Sequence, residues 1–173
     1  MQSRAKLLGH AVHPMVIVFP LGLFATAVVF DICYLATGRT GFTIAAGYVI
    51  AAGLIGGLLA GAFGLVDWLG IPRRTRARRI ATVHGIGNVV VLVLFAASWL
   101  LRLDAATWRP PGPALAFGFG GIVVAAVAAW LGGELVERLG VGVDDDAGLN
   151  ASNSLRVAMR GRHAGRHAGR GAA

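Results

Sequence analysis

Four long apolar segments, separated by short polar stretches, make up most of the chain. They cover approximately residues 14–37, 42–69, 80–102 and 113–136. Crossing about 30 Å of hydrocarbon at about 1.5 Å per residue takes roughly 20 apolar residues, so each segment is long enough to span a bilayer as a helix. The pattern predicts an all-α fold, a four-helix transmembrane bundle threaded up and down through the membrane.

The overall composition agrees with a membrane protein. Of the 173 residues, 56% are hydrophobic and 14% are charged, and the mean hydropathy is +0.70. A soluble domain of this length could not hide so much apolar surface in one core. Arg4 and Lys6 precede the first segment, as in a secretory signal, but the segment contains Asp31 and exceeds the usual signal core of about 7–15 residues. We therefore expect it to be retained as a span.

The distribution of lysine and arginine predicts the orientation of the bundle. Basic residues gather before the first segment, in the loop at residues 73–79 and after the fourth segment, whereas the opposite side carries only Arg39, Arg102 and Arg109. Loops rich in these residues stay in the cytoplasm, so both termini are predicted to be cytoplasmic. The net charge of +8 then indicates contact with anionic lipid headgroups, and we expect no nucleic acid partner.

A change of composition after about residue 143 predicts a domain boundary. Residues 144–173 begin with three aspartates and end in GRHAGRHAGRGAA, which contains His163 and His167. This stretch is too polar and too rich in glycine to bury a core, so residues 144–173 are predicted to be a disordered Gly/Arg/His-rich basic C-terminal tail in the cytoplasm. Residues 1–143 are predicted to form the transmembrane domain.

Polar residues with ligating side chains recur near one end of each apolar segment. They are His10 and His13, Asp67, His84 and Asn88, and Glu134. Up-and-down threading brings these ends to one level, near the cytoplasmic face. A charged side chain within a span costs about 2.5–3.5 kcal/mol at the bilayer centre, so such residues usually have partners. The sequence therefore predicts a shared polar site at this level.

Histidines on two helices at one level can ligate a haem iron or a bare metal ion. His13 and His84 both begin helices, where the positive end of the helix dipole favours the neutral imidazole that binds metals. If Asp67 and Glu134 join them, the mixed set suits non-haem iron, manganese or zinc. Otherwise the two carboxylates would orient the histidine rings around the metal or haem. The residues alone leave this choice open. The candidate haem-binding residues are His10, His13, His84 and Asn88.

Each of these residues also has a purely structural interpretation. The histidines could cap helices or form hydrogen bonds within the bundle, and the carboxylates could form ion pairs. The expected pairs are Asp67 with arginines of the 73–79 loop, Glu134 with Arg138, and Asp31 with Arg39 or Arg102 on the opposite side. Glycines at four-residue spacing on the second segment, Gly53, Gly57 and Gly61, predict a close helix contact that leads through Gly64 towards Asp67.

Three stretches of the chain resemble a known family. They are GHAVHPMVIVFPLGLFATAVVFD, GLVDWLGIPRRTRARRIATVHGIGN and WLGGELVERLGVGV, and in this order they span nearly all of residues 9–143. Together they are similar to the bacterial membrane proteins of the "domain of unknown function 2231" family. The resemblance implies a multi-pass protein of the bacterial inner (cell) membrane. The family's hallmark residues match His10, His13, Asp31, Asp67, His84, Asn88 and Glu134.

The resemblance also favours a role in electron transfer, because related domains resemble parts fused to Rieske-type or cytochrome modules. This chain has no Rieske or CXXCH sequence of its own, so a redox role would need a separate partner protein or a noncovalent cofactor. The leading hypothesis is a membrane protein that binds haem b or a non-haem metal ion through these histidines.

Two alternatives remain open. One is a proton or ion pathway between Asp31 and the polar site, and the other is a non-catalytic subunit or assembly factor of a redox complex. The glycine stripe also leaves homo-oligomers open. No G-x-S-x-G motif and no Gly-rich phosphate loop occurs, which favours an electron carrier or membrane subunit over an enzyme.

Overall fold

The computed structural model describes residues 1–155 and contains, within them, four helices long and apolar enough to cross a membrane. They are α1 (Val12–Thr37), α2 (Thr40–Gly70), α3 (Arg76–Leu100) and α4 (Gly112–Gly133), the last continued by a π-helical turn at Glu134–Arg138. The predicted fold class and the positions of the spans are confirmed. The protein is a multi-pass integral membrane protein. Most of the predicted tail, including His163 and His167, lies outside the described residues.

Local signals in the sequence set the ends of the helices. Gly38 ends α1 with a left-handed φ of 68° and donates its N–H to the carbonyl of Tyr34 at 2.8 Å. Thr75 begins α3, because its side-chain oxygen accepts a hydrogen bond from the backbone N–H of Arg78 at 3.1 Å. These short connections leave successive helices antiparallel, as the threading predicts.

The four helices form a closed ring around the centre of the bundle. Helix α1 packs mainly on α2 and α3 mainly on α4, with further contacts between α2 and α3 and between α1 and α4. Across the diagonal, Phe24 of α1 stacks on Phe95 of α3, with ring centres 4.1 Å apart. Each phenyl ring lies on a glycine, Gly53 of α2 or Gly121 of α4, where a Cβ would come within 2.7 or 2.8 Å of it. The middle of the bundle is therefore a tightly packed apolar layer.

The diagonal between α1 and α3 carries three facing pairs of side chains at matched positions. In each pair the second residue follows the first by 71 residues. The second residue lies in α3 or, in the case of Arg102, just after it. The pairs are His13 with His84, Phe24 with Phe95, and Asp31 with Arg102. The matching relates two helical hairpins, α1–α2 and α3–α4, position by position along this diagonal. We call the two ends of the bundle the histidine end, at His13 and His84, and the ion-pair end, at Asp31 and Arg102.

At the ion-pair end, Arg102 donates two hydrogen bonds to Asp31, at 2.8 and 2.7 Å. Both residues are buried, with 0% of Arg102 and 2% of Asp31 exposed. The hydroxyl of Ser98 accepts a further bond from Arg102 at 3.2 Å. Of the two partners expected for Asp31, Arg102 is the one that it binds, and both side chains of the pair are buried.

At the histidine end, the first residues of the chain form a small hairpin. Strands β1 (Lys6–Leu7) and β2 (His10–Ala11) pair antiparallel across a turn at Leu8 and Gly9. The N-terminal amino group donates to the carbonyl of Gly140 at 2.9 Å, and Gly142 donates its N–H to the carbonyl of Met1 at 2.8 Å. The N-terminal segment is thus tied to the residues that follow α4.

Candidate ligand site at the histidine end

Two imidazole rings meet at the histidine end of the bundle. His13 lies in the first turn of α1 and His84 in the third turn of α3. Their ring centres are 6.4 Å apart and their planes are 87° apart. The two histidines therefore share one level, as up-and-down threading requires.

A backbone carbonyl from the neighbouring helix holds each ring. Nδ1 of His13 lies 2.8 Å from the carbonyl oxygen of Ala60 on α2, and Nδ1 of His84 lies 2.8 Å from that of Ala128 on α4. A carbonyl can only accept, so Nδ1 must carry the hydrogen in both rings. In the neutral imidazole, Nε2 is then left as a lone-pair acceptor, which is the form that binds a metal.

Glycines make room for both rings. Gly64 and Gly132 follow Ala60 and Ala128 by one helical turn. A Cβ on Gly64 would lie 3.0 Å from the ring of His13, and one on Gly132 would lie 3.2 Å from the ring of His84. Each histidine thus occupies a recess between the two helices of its own hairpin, and the recess exists because a side chain is missing.

The predicted glycine stripe on α2 is confirmed at three positions and wrong at one. Gly53 lies under Phe24, Gly64 lies under His13, and a Cβ on Gly57 would come within 2.6 Å of Leu92. Gly61 is exposed and would meet nothing within 4 Å. Four-residue steps drift around a helix of 3.6 residues per turn, so the stripe does not keep one face against the bundle.

Asn88 breaks the symmetry between the two rings. Its side-chain nitrogen lies 3.0 Å from Nε2 of His84 and 3.0 Å from the backbone carbonyl of His84. The matching position on α1, one turn after His13, is Ile17, which has no polar group. Within residues 1–155, Nε2 of His13 has no hydrogen-bond partner. The two rings are therefore oriented alike at Nδ1 and held differently at Nε2.

Asp67 binds the N-terminal segment, a partner not predicted from the sequence. Its Oδ1 accepts hydrogen bonds from the hydroxyl of Ser3 at 2.7 Å and from the backbone N–H groups of Arg4 and Ala5 at 2.8 and 3.3 Å. The expected pairing with arginines of the 73–79 loop is wrong. Because Oδ1 binds the hydroxyl and backbone donors of the N-terminal segment, the carboxylate fastens that segment to the end of α2.

Glu134 likewise finds a partner on another helix. Its Oε1 accepts a hydrogen bond from Arg76 at 2.7 Å, so the expected pairing with Arg138 is wrong. His10 is exposed in β2, apart from the buried recesses. Among the residues that the structure describes, no group of three or more His, Cys, Asp or Glu side chains could hold a metal ion. The mixed set of His13, His84, Asp67 and Glu134 is thus not assembled, and only the histidine pair and Asn88 come together.

The residues that orient the rings, namely Ala60, Ala128 and Gly132, were not among those predicted from the sequence. Their side chains have no functional groups. Ala60 and Ala128 act through their backbone carbonyls, and Gly132 acts through the absence of a Cβ. A usable signal was nevertheless present. The spacing A-x-x-x-G occurs at residues 60–64 and again at 128–132, after two histidines that lie 71 residues apart. The two repeats lie 68 residues apart and the two histidines 71, so alignment of the two halves with a three-residue gap would have matched both recesses.

Replacing Asp67 by alanine should release the N-terminal segment from the bundle. Hydrogen bonds to a charged group are worth about 1.5–3 kcal/mol, so hydrogen exchange at the amides of Arg4 and Ala5 should accelerate at least about tenfold. Exchange detected by mass spectrometry on peptides covering residues 1–12 would measure this. Asp67→Asn keeps an acceptor oxygen and should retain most of the protection, whereas equal rates in all three proteins would contradict the assigned role.

Comparison with known proteins places the chain in one family. A family model described as "Predicted membrane protein (DUF2231)" matches residues 9–145. Neither a curated protein nor a solved structure is found to match the chain. The matched range runs from the turn of the N-terminal hairpin to the residues that follow α4, and so includes all four helices and both histidine recesses. The chain therefore belongs to the DUF2231 family of predicted membrane proteins.

Proposed function

We propose that the protein binds haem b through His13 and His84 at the histidine end and serves as an electron carrier in the membrane. One observation carries the proposal: two imidazole rings, each with Nδ1 held by a backbone carbonyl, lie with their centres 6.4 Å apart. A hydrogen bond from the outer ring nitrogen to a carbonyl is the usual way in which proteins orient a metal-binding histidine.

The spacing of the two rings suits one metal ion placed between them. Nitrogen–metal bonds of about 2.0–2.1 Å on opposite sides of one ion put imidazole centres about 6 Å apart. The centres of His13 and His84 are separated by 6.4 Å, which is close to that spacing. The recesses at Gly64 and Gly132 keep each ring between the helices of its own hairpin.

The small number of protein ligands favours haem over a bare metal ion. A porphyrin supplies four nitrogen ligands, so two axial histidines complete the coordination of its iron. A bare ion would need further protein donors, and the two nearest candidates by sequence, Asp67 and Glu134, are bonded to Ser3 and Arg76. Haem therefore needs fewer protein ligands than a bare ion, in keeping with the two histidines that come together.

The packing between the two ends favours a carrier over a proton or ion pathway. The stacked rings of Phe24 and Phe95 lie between the histidine end and Asp31. Asp31 is itself held by both Nη atoms of Arg102. Proteoliposomes containing the protein should accordingly show no proton flux above that of empty vesicles.

The proposed setting is the bacterial inner membrane, with the histidine end towards the cytoplasm. Arg73, Arg74 and Arg79 are exposed at this end, where they suit contact with anionic lipid headgroups. Arg78 instead packs its guanidinium 3.4 Å above the centre of the Trp68 ring. A partner protein would exchange electrons at the histidine end, since the chain carries no Rieske or covalent haem sequence.

The test is the absorption spectrum of the detergent-purified protein, produced with haem precursor and analysed for haem and metals. We expect a Soret band and about one haem per chain. His13→Ala and His84→Ala should each lower haem affinity at least about tenfold, because each removes an axial ligand. His10→Ala, which changes an exposed histidine outside the pair, should leave the spectrum unchanged. A wild-type protein without a Soret band, or a band indifferent to both substitutions, would refute the proposal.

A further inference from the structure

The tip of the N-terminal hairpin has a backbone conformation that leucine rarely adopts. Both residues of the turn between β1 and β2 are left-handed, with a φ of 52° at Leu8 and 89° at Gly9. Turns with two left-handed residues usually contain Asn-Gly or Gly-Gly, because a bulky side chain is strained there. Packing within residues 1–155 does not offset this strain, since Leu8 is 62% exposed. The leucine therefore points to a contact of its side chain outside the described part of the protein.

A second leucine is exposed beside the first. Leu7, the last residue of β1, is 56% exposed. Successive side chains of a strand point to opposite faces. The preceding residue, Lys6, forms an ion pair with Asp144 in the residues that follow α4, so Leu7 points away from those residues. The hairpin thus presents two adjacent leucines that no described residue covers.

The hairpin is fixed close to the membrane surface. Strand β2 runs directly into α1, whose span begins at Val12. Leu8 precedes Val12 by four residues, so at about 3.3 Å per residue it lies within about 13 Å of the start of the span. Asp67 holds the segment before β1 through the backbone N–H groups of Arg4 and Ala5. The tip is therefore kept within reach of the boundary between hydrocarbon and lipid headgroups.

Basic side chains lie around the end of α2, next to this segment. A Cβ on Gly70 would come within 2.7 Å of Nε of Arg4, so the Arg4 side chain lies against the last turn of α2. Arg73 and Arg74 follow that helix and are exposed. Within residues 1–155, none of these three arginines pairs with a carboxylate. Exposed apolar residues beside cations are the composition with which interfacial segments bind an anionic bilayer.

We infer that the tip of the N-terminal hairpin is a membrane anchor that inserts Leu7 and Leu8 into the headgroup boundary of an anionic leaflet. The bilayer covers the exposed apolar faces of the four helices, and the next exposed large apolar residue along the chain, Met15, lies on such a face. The three arginines supply the attraction to lipid phosphates. The anchor keeps the N-terminal segment, which Asp67 fastens to α2, seated at the histidine end. It does not depend on haem binding.

The test places a fluorescent label on the tip. Leu8→Cys, in a Cys33→Ala background that removes the one native thiol, is labelled with an environment-sensitive dye and reconstituted in vesicles of phosphatidylcholine and phosphatidylglycerol. Lipids brominated along the acyl chain should quench this label at least about twofold more than the same label in the matched control Asp146→Cys. The control residue is exposed and lies in an acidic stretch that anionic lipid repels. Leu7→Cys gives an independent labelling position at the same tip.

An unlabelled variant separates an anchor from an ordinary turn. Glycine fits the left-handed backbone at position 8 better than leucine, so without an anchor Leu8→Gly should slow hydrogen exchange of residues 4–11. In an anchored tip the same variant should accelerate that exchange at least about twofold in anionic vesicles. Quenching equal to that of Asp146→Cys, or unchanged or slower exchange in Leu8→Gly, would overturn the inference. So would a label that is shielded from water but not quenched by brominated lipid, because protein would then cover the leucines.

Discussion

Arg102→Met should lower the free energy of unfolding by about 3–5 kcal/mol, because it leaves the Asp31 carboxylate buried without its counter-ion. The pair is bidentate and fully enclosed, so neither water nor lipid headgroups can replace the guanidinium. Unfolding in detergent micelles, followed by circular dichroism against denaturant, would measure the loss.

The matched control removes both charges together. Asp31→Leu combined with Arg102→Met replaces the pair by apolar side chains of similar size, and such swaps are often neutral or stabilising. We expect the double variant to unfold close to wild type and well above Arg102→Met alone. A single variant as stable as the double would show that the carboxylate finds another partner, contrary to the buried arrangement described for it.

Gly64→Leu should displace the ring of His13 and lower haem affinity at least about tenfold, the size of effect seen when groups that orient a metal ligand are lost. Even a Cβ at this position would lie 3.0 Å from the ring, and a leucine side chain would fill the recess beside Ala60. Haem titration of the purified protein would measure the affinity. Faster modification of His13 by diethyl pyrocarbonate would report the displacement without any haem.

Gly61→Leu is the matched control, since it adds the same side chain to the same helix less than one turn away. A Cβ on Gly61 meets nothing within 4 Å, so this variant should keep wild-type affinity and wild-type modification of His13. Similar behaviour of the two leucine variants would mean that the recess does not position the ring.

The pattern of the sequence predicted how the chain crosses the membrane. Each span is set by its own run of apolar residues, and hydrogen bonding within the helix satisfies the backbone locally. The threading then followed from short loops, and with it the common level of His13 and His84. The sequence also limited the partner of Asp31 to two arginines, Arg39 and Arg102, because these lie on the same side of the membrane as Asp31.

The partners of the other polar residues depended on contacts that no local pattern encodes. Asp67 binds the backbone of Arg4 and Ala5, and Glu134 binds Arg76. A charged side chain near a helix end can reach several hydrogen-bond donors or acceptors of the same chemical type. The choice among them follows from how the hairpin at the N-terminus and the start of α3 lie against neighbouring helices.

By itself, then, the chain's pattern of apolar and polar residues determined four crossings and the depth of each polar side chain, because hydropathy and helical rise act along one helix at a time. The tertiary structure alone decided that carbonyls of Ala60 and Ala128 hold the histidine rings and that Asn88 covers only one of them. These are contacts between backbone and side chain, set by how closely glycines let two helices approach and by which residue lies one turn away.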